Sequence, residues 1–187
     1  MAALGPDFYD RPVLEVAREL LGCTLRRGRC AGVIVETEAY HQSEPACHAY
    51  RGERPHTRSL FGAPGRAYVY RSYGIHSLFN AVCEAPGVGA AVLVRALEPV
   101  EGLDEMRARR GRTDRELCAG PGRLTQALAI GLEFDGVPLD GPDIEIVAPE
   151  VPVADYSTGV RVGITKAADL PWRFAVTASP WTSRPRL

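Results

Sequence analysis

Residues 31 to 40 read AGVIVETEAY and place two carboxylates and a phenol within five positions. The alternation in this stretch has the period of a β-strand, so Glu36, Glu38 and Tyr40 are predicted to share one face with Ile34. Same-face neighbours on a strand lie about 6.5–7 Å apart. Paired carboxylates suggest cleavage of a glycosidic bond, with one carboxylate acting as a base toward water. A solvated strand face is the alternative that these residues leave open.

Aromatic and imidazole side chains cluster around the same part of the chain. They are Tyr40, His48, Tyr68, Tyr70 and Tyr73. Alternation places Tyr68 and Tyr70 on one strand face, and Tyr73 falls in a tight turn, where an exposed ring is more typical of a binding device than of a core residue. The segment 51–71 adds five arginines against one acid, either a solvated basic loop or a phosphate-tracking patch. Flat rings, a carboxylate and local positive charge suit an enzyme that acts on a flipped nucleotide.

Composition indicates a globular chain. Of 187 residues, 45% are hydrophobic and 24% are charged, which predicts one domain spanning 1–187. The net charge of −1 argues against a protein that binds nucleic acid over its whole surface. There is no apolar run of about 18 residues and no leader with the pattern of a signal peptide, so we expect an intracellular protein without a membrane span.

Cysteine and lysine usage limits the possible chemistry. Five cysteines without a CxxC pair indicate neither a disulfide framework nor a zinc ribbon. We therefore expect the cysteines to be buried and to pack as small hydrophobic side chains. Lys166 is the single lysine beside 21 arginines. Covalent amine catalysis would therefore have to use Lys166 or the N-terminal amine.

The elements that must position these residues alternate between helices and strands. One predicted helix begins near Asp10 and ends at Gly22, and two more are predicted near 99–110 and 121–130. Strands are predicted at 23–29 and 32–40, and a long aperiodic stretch follows at 41–66. After it, the predicted strands are a pair joined by a turn at 72–74, a strand at 90–99, and short strands in DIEIVA, VRVGIT and RFAVT. This order predicts an α+β fold, a single mixed domain with a curved antiparallel β-sheet and surrounding helices.

Seven motifs carry a resemblance that covers nearly the whole chain. They are VETEAY, CHAYRG, FGAPGRAYVYRSYGIHSLFN, VLVRALEP, ELCAGPGRL, RVGI and SPW. In this order they resemble the alkyladenine (3-methyladenine) DNA glycosylase family of the mammalian type. The resemblance implies base-excision repair by hydrolysis of the N-glycosidic bond of alkylated purines in duplex DNA, leaving an abasic site without strand cleavage. It also implies a β-hairpin that protrudes into the minor groove, and no metal or cofactor.

Within that resemblance, the reacting centre maps onto three positions. Glu38 matches the general base that positions and deprotonates the attacking water, and its charge would stabilise the developing oxocarbenium ion. Arg95 and the main-chain carbonyl of Val162 match groups that help hold this water. Glu36 has no catalytic counterpart and is expected to be structural.

The resemblance also implies how the base and the DNA are held. Tyr40, His48 and Tyr70 match the walls around the flipped base, and Asn80 matches an asparagine that crowds the 2-amino group of guanine. Three further residues match contacts to DNA: the intercalating Tyr73 and the backbone-contacting Arg58 and Arg123. Around Arg58 the chain departs from the family pattern, since Ser59 stands where many members have asparagine.

The expected partner is double-stranded DNA containing damaged purines, bound by a monomer. Hypoxanthine, ethenoadenine and 7-methylguanine are further candidate lesions. A non-catalytic binder of damaged or structured nucleic acid is the main alternative, and a hydrolase of free nucleosides or small glycosides is a weaker one. Glu38 discriminates between the first two, because a pure binder does not need that carboxylate.

Overall fold

Antiparallel strands form one curled, half-barrel sheet in this computed structural model, which describes residues 2–187. Within that range the strands are β1 (Thr24–Arg27), β2 (Cys30–His41), β3 (Ala67–Ser72), β4 (His76–Val82), β5 (Ala90–Glu101), β6 (Glu145–Val147), β7 (Tyr156–Gly159) and β8 (Arg173–Val176). Helices surround the sheet: α1 (Pro6–Tyr9), α2 (Val13–Glu19), α3 (Leu103–Arg110), α4 (Asp114–Leu117) and α5 (Pro121–Leu128). Short 3₁₀ segments lie at His48–Arg51, Pro55–Phe61 and Leu132–Phe134. The predicted α+β class is confirmed.

Strand β2 lies at the centre of the sheet. The strands follow the order β3-β4-β5-β2-β1-β6, and β8 pairs with β2 beside β1 and carries β7 on its far side. One edge of β2 therefore pairs with β5 along most of its 12 residues, while the other edge is shared by β1 and β8. Residues of three neighbouring strands can thus meet around the middle of β2.

The register between β2 and β5 shifts at three points, and the two shifts next to Glu36 are bulges that affect the site. Ile34 pairs with Leu97 and Glu36 with Ala96, which leaves Val35 as an extra residue in β2. An extra residue reverses the alternation of faces, because successive side chains point to opposite sides. Ile34 consequently packs in the main core and not beside Glu36. The prediction that Ile34 shares a face with the acids was wrong for this reason.

The second bulge is in β5. Glu36 pairs with Ala96 and Thr37 with Val94, so Arg95 is the extra residue of that strand. Its side chain is nearly buried and points toward both acids of β2, contacting Glu36 and Glu38. Bulges are common where a strand must redirect one side chain, which is the effect observed here.

The main core lies between the sheet and the helices. Helix α2 packs on β2, α5 packs on β4 and β5, and α3 packs on α5. The Thr37 hydroxyl donates to the carbonyl of Ala17 in α2 (2.7 Å), which satisfies a polar group at this buried contact. All five cysteines are free and buried, as predicted.

A smaller core supports the aperiodic stretch 41–66. Its buried members are Cys47, Ala49, Leu60, Tyr68, Val82 and Ala91. Two of the 3₁₀ segments lie in this stretch and pack against the sheet through these residues. The stretch is therefore an ordered wall, although its sequence has no helical or strand periodicity.

Strands β3 and β4 form the predicted hairpin with Tyr73 and Gly74 at its tip. Both residues have positive φ, +49° and +70°, and the Ile75 N–H donates to the Ser72 carbonyl (3.1 Å). This is the geometry of a type I′ turn, whose twist matches that of antiparallel strands. Left-handed backbone costs a residue with a side chain roughly 1–2 kcal/mol, so the position of Tyr73 is a strained one.

Several predicted boundaries were wrong. VRVGIT is not a strand, because Arg161 is bound by surrounding groups and Gly163 has φ +75°, which breaks an extended conformation. Helix α3 begins at Leu103 and not near 99, since β5 continues to Glu101. Asp10 ends α1 and does not cap α2. Residues 2–187 contain no helix long and apolar enough to span a membrane.

Candidate active site

The carboxylate of Glu38 is fully buried in the middle of β2 and is held by three donors. The Val162 N–H donates to Oε1 (2.8 Å), and the Arg95 guanidinium lies 3.2 Å from the same oxygen. The Tyr40 hydroxyl donates to Oε2 (2.8 Å). Three fixed donors orient the carboxylate.

These donors form part of the wall of a cavity of about 500 Å³. Tyr40, Arg95 and Val162 all line it, whereas Glu38 has no exposed surface and lies directly behind this wall. Oε2 accepts one hydrogen bond from the protein, and a carboxylate oxygen can accept two. The arrangement places an oriented acceptor at the edge of a space large enough for a small planar ligand.

Aromatic rings form the opposite part of the cavity wall. Tyr68 and Tyr70 are stacked, with ring centroids 5.4 Å apart, as their shared strand face predicts. The His48 ring meets Tyr70 edge to face at 4.5 Å, and its Nδ1 is 2.9 Å from the Tyr68 hydroxyl. The sequence analysis placed Tyr68 in the aromatic cluster without a separate role, and the structure shows its hydroxyl in contact with the His48 ring.

Burial keeps the ring groups of this cavity neutral. It raises the pKa of Tyr70 to about 12, and burial together with the charge of Glu38 raises the pKa of Tyr40. Tyr40 therefore stays protonated as the donor to Glu38. Burial, and to a lesser extent His56, lowers the pKa of His48, so this imidazole is uncharged near pH 7.

Asn80 lies in β4 on the floor of the same cavity. It is buried, and its Nδ2 donates to the Tyr68 carbonyl (3.0 Å), which fixes the orientation of the amide. Because Asn80 pairs with Tyr68 on one side and Leu93 on the other, its position is set by the sheet register. The seven residues predicted for the reacting centre and the base walls thus all lie at or directly behind one cavity.

Glu36 is fully buried beside this cavity in a network of charged groups. Its Oε1 accepts from the Nε of Arg95 (3.1 Å) and the Nε of Arg173 (2.7 Å). Ser183 contributes two more hydrogen bonds, from its N–H to Oε2 (2.6 Å) and from its hydroxyl to Oε1 (2.9 Å). The alternative of a solvated strand face is therefore wrong for both acids.

A second buried ion pair supports the loop that carries Val162. Arg161 binds both oxygens of Glu44 (2.7 and 3.1 Å) and the carbonyls of Ala39 and Ala167, and its guanidinium lies 4.7 Å from the ring of Tyr40. Sequence reasoning missed Arg161, Glu44 and Arg173. The sequence offered one indication of these pairs: an arginine within an apolar stretch is expected to be buried, and a buried arginine needs a nearby acceptor.

The predicted DNA contacts lie at different places. Tyr73 is 90% exposed at the hairpin tip and lines the mouth of the cavity. Arg58 is highly exposed, lies away from the cavity wall and has Glu53 as its ion-pair partner (3.5 Å). Arg123 lines a neighbouring cleft and not the cavity itself. The arginines of 51–71 do not form one patch, since Arg66 binds the Gly136 carbonyl while Arg71 lines the cavity.

Within residues 2–187, no three His, Cys, Asp or Glu side chains are grouped as metal ligands would be. The groups at or directly behind the cavity wall include one carboxylate, one guanidinium, an imidazole, an amide, main-chain groups and tyrosine rings. An oriented carboxylate behind an aromatic cavity is an arrangement that can accommodate a flat ring next to a proton acceptor.

Comparison with known proteins identifies the class of enzyme. Residues 7–180 match the family model described as methylpurine-DNA glycosylase (MPG). The chain therefore belongs to the methylpurine-DNA glycosylase family, which confirms the resemblance found in its motifs, and it is a DNA glycosylase.

Curated relatives cover nearly the same length. One from Rhodopseudomonas palustris is 53% identical over 188 residues, covering 98% of this chain and 93% of the relative. Others from Agrobacterium fabrum and Rubrobacter xylanophilus are 51% and 50% identical, covering 95% and 90% of this chain and 91% and 90% of the relatives. Each of the three is named "Putative 3-methyladenine DNA glycosylase".

Proposed function

We propose that this enzyme hydrolyses the N-glycosidic bond of 3-methyladenine and related alkylated purines in duplex DNA. The observation that carries the proposal is the carboxylate of Glu38, held by Tyr40, Arg95 and Val162 behind the wall of an aromatic cavity. The flipped base enters the cavity and its deoxyribose C1′ approaches this wall. Water then attacks C1′ as Glu38 accepts its proton.

The bond changes balance without a cofactor. The water oxygen forms a bond to C1′, the C1′–N bond breaks, and its electron pair leaves with the base. A positively charged alkylated purine departs as a neutral molecule, so it needs no proton from the protein. The negative charge of Glu38 stabilises the oxocarbenium-like sugar between these events. The product is an abasic site in an uncut strand.

The rings of the cavity suit an electron-poor base. Tyr40, His48 and Tyr70 provide π surfaces, and the uncharged His48 does not repel a cationic purine. Asn80, with its amide held by the Tyr68 carbonyl, is the group proposed to crowd the 2-amino group of guanine. We therefore expect the fastest release for 3-methyladenine and slower release for neutral lesions such as hypoxanthine and ethenoadenine.

One chain supplies the cavity and the hairpin, so we propose that a monomer is the working unit and that residues 1–187 act as one glycosylase domain. Since the substrate is DNA, the expected compartment is the one that holds the DNA, which in a bacterial cell would be the cytoplasm or nucleoid. We also propose that Arg58 and Arg123 contact the phosphate backbone of the bound DNA.

Base release is the direct test of this function. Purified protein is expected to liberate free 3-methyladenine from methylated duplex DNA, measured by chromatography, and to leave sites that break only after alkali. Duplexes with a single hypoxanthine or ethenoadenine, scored by alkali cleavage, would define the lesion range. No release from methylated DNA, or strand breaks without alkali, would contradict the proposal.

Tyr73→Ala is expected to weaken binding of lesion duplex while 3-methyladenine release continues at saturating protein. A ring stacked on a base contributes about 1–3 kcal/mol, which corresponds to roughly 5- to 150-fold in affinity. Fluorescence anisotropy with a duplex carrying a stable lesion measures this change. Val151→Ala is the matched control, because Val151 is also a highly exposed apolar residue (77%) but lies outside the cavity and hairpin. Unchanged affinity for Tyr73→Ala would refute the wedge role.

A further inference from the structure

A second cleft, of about 440 Å³, adjoins the base cavity and is rich in guanidinium groups. Its basic residues are Arg95, Arg115, Arg123, Arg184 and Arg186, against one carboxylate, Glu116. The whole chain has a net charge of −1, so this concentration of positive charge does not reflect the average surface. Charges of one sign in a cleft reinforce one another and attract anions.

Four of these arginines are exposed, and two of them have contacts within the protein: Arg186 donates to the Pro180 carbonyl (3.3 Å), and the Arg115 guanidinium lies 5.4 Å from the Trp181 ring. Among the described residues, the ion pairs of the protein include Arg95 but not Arg115, Arg123, Arg184 or Arg186. Helix α5 also begins at this cleft, where Gly120 and Pro121 line it, so the positive end of its dipole adds to the same potential.

The C-terminal segment is anchored so that its arginines line the cleft. Ser183 donates twice to Glu36 and accepts from Arg95 (3.2 Å), and the Pro185 carbonyl accepts from Arg173 (2.6 Å). Both chain neighbours of Arg184 are therefore fixed to buried groups. A segment held this firmly presents Arg184 and Arg186 in defined positions, unlike an ordinary charged chain end.

The cleft and the base cavity share part of their wall. Arg95 and Pro121 line both, and Arg95 also contacts the carboxylate of Glu38. A nucleotide whose base occupies the cavity is therefore expected to place phosphates of its own strand near this cleft, and each phosphate carries one negative charge.

We propose that this cleft binds phosphates of the DNA strand that carries the flipped nucleotide, and that Arg184 and Arg186 join Arg115 and Arg123 in neutralising them. The inference rests on the proposed function, since the flipped nucleotide defines which strand passes the cleft. The buried charge network of Glu36 and Arg173 also anchors the C-terminal segment, and this segment supplies two of the four guanidinium groups.

The test measures the affinity of an Arg184→Ala/Arg186→Ala variant for duplex DNA over a series of salt concentrations. Two lost phosphate contacts should weaken binding of lesion duplex about tenfold or more at low salt and make the slope of log affinity against log salt shallower by about 1.8. Arg184→Lys/Arg186→Lys keeps both charges and should retain most of the affinity and slope. Arg29→Ala removes a charge from the exposed β1–β2 turn and should change neither.

A second experiment locates the contact on the DNA. Single neutral methylphosphonate linkages are placed at each of the positions flanking the lesion, and affinity is compared between the wild-type chain and the double alanine variant. At the contacted linkage, neutralisation should weaken wild-type binding but leave the variant unaffected, which is the coupling expected of a direct pair. Additive effects at every linkage would overturn the assignment.

The outcomes separate the two proposals. If the wild-type chain releases 3-methyladenine and binds duplex DNA, but the alanine variant binds with the same affinity and salt slope, the cleft assignment is wrong and the glycosylase function stands. If the wild-type chain neither binds duplex DNA nor releases a base, both are wrong. Thermal melting of the variants checks that the exposed substitutions leave the fold intact.

Discussion

Glu38→Gln is expected to lower the single-turnover rate of 3-methyladenine release by about 10²–10⁴-fold, the range lost with a general base. The variant should bind lesion duplex with nearly wild-type affinity, because the cavity walls are unchanged. Glutamine also fits the hydrogen bonds: its carbonyl can accept from Arg95 and Val162, while its amide can donate to the Tyr40 hydroxyl, which is able to accept. The loss would therefore report the missing charge and base, not a disturbed fold.

Glu98→Gln is the matched control for this change. It makes the same carboxyl-to-amide replacement on β5, three residues from Arg95, at a side chain that does not line the base cavity. Its release rate should remain within about twofold of the wild-type rate, as expected for a substitution away from special features. Release by Glu38→Gln at the rate of this control would show that the carboxylate has been assigned the wrong role.

Local patterns in the sequence were sufficient to predict much of the site. Period-two alternation correctly places Glu36, Glu38 and Tyr40 together, because β2 itself has no extra residue after Val35. The same rule stacks Tyr68 on Tyr70. The hairpin was also predictable, because Tyr73-Gly74 between two alternating segments is a turn signal that depends only on neighbouring residues.

Long-range pairing is what sequence reasoning could not supply. Glu36 binds Arg173, 137 positions away, and Glu44 binds Arg161, 117 positions away. Neither partner is marked by periodicity or spacing, since both pairs are created when separate segments meet around β2. The bulge at Val35 was equally hidden, because a β-bulge depends on the register of the partner strand and not on the strand's own alternation.

VRVGIT shows how a functional loop can imitate a strand. Its alternation of apolar and other residues has the period of two, but Arg161 binds Glu44 and two carbonyls, and this fixes an irregular path. That path directs the Val162 N–H at Glu38 (2.8 Å). The buried arginine and the wrongly predicted strand therefore have one explanation. The loop takes an irregular path because its groups bind the carboxylates of Glu44 and Glu38.

Glu36→Ala is expected to destabilise the protein by about 3–5 kcal/mol, as removing one partner from a buried ion pair does. The guanidinium groups of Arg95 and Arg173 would lose their shared carboxylate, and the N–H of Ser183 would lose its acceptor. Glu36, Glu38 and the two arginines form a group whose formal charges cancel, so the substitution leaves one uncompensated positive charge in a nearly solvent-free site. Urea denaturation followed by circular dichroism measures the change in the free energy of unfolding.

Glu19→Ala is the comparison that isolates burial as the cause. Glu19 also pairs with an arginine, Arg11, at 2.9 Å, but its side chain is 53% exposed. Exposed pairs contribute about 0–1 kcal/mol, so this variant should unfold close to the wild-type midpoint. Similar small losses for both variants would mean that the Glu36 network is relaxed by solvent when the carboxylate is removed. A large loss for Glu36→Ala alone would identify the network as the structural support of the segment that carries Ser183.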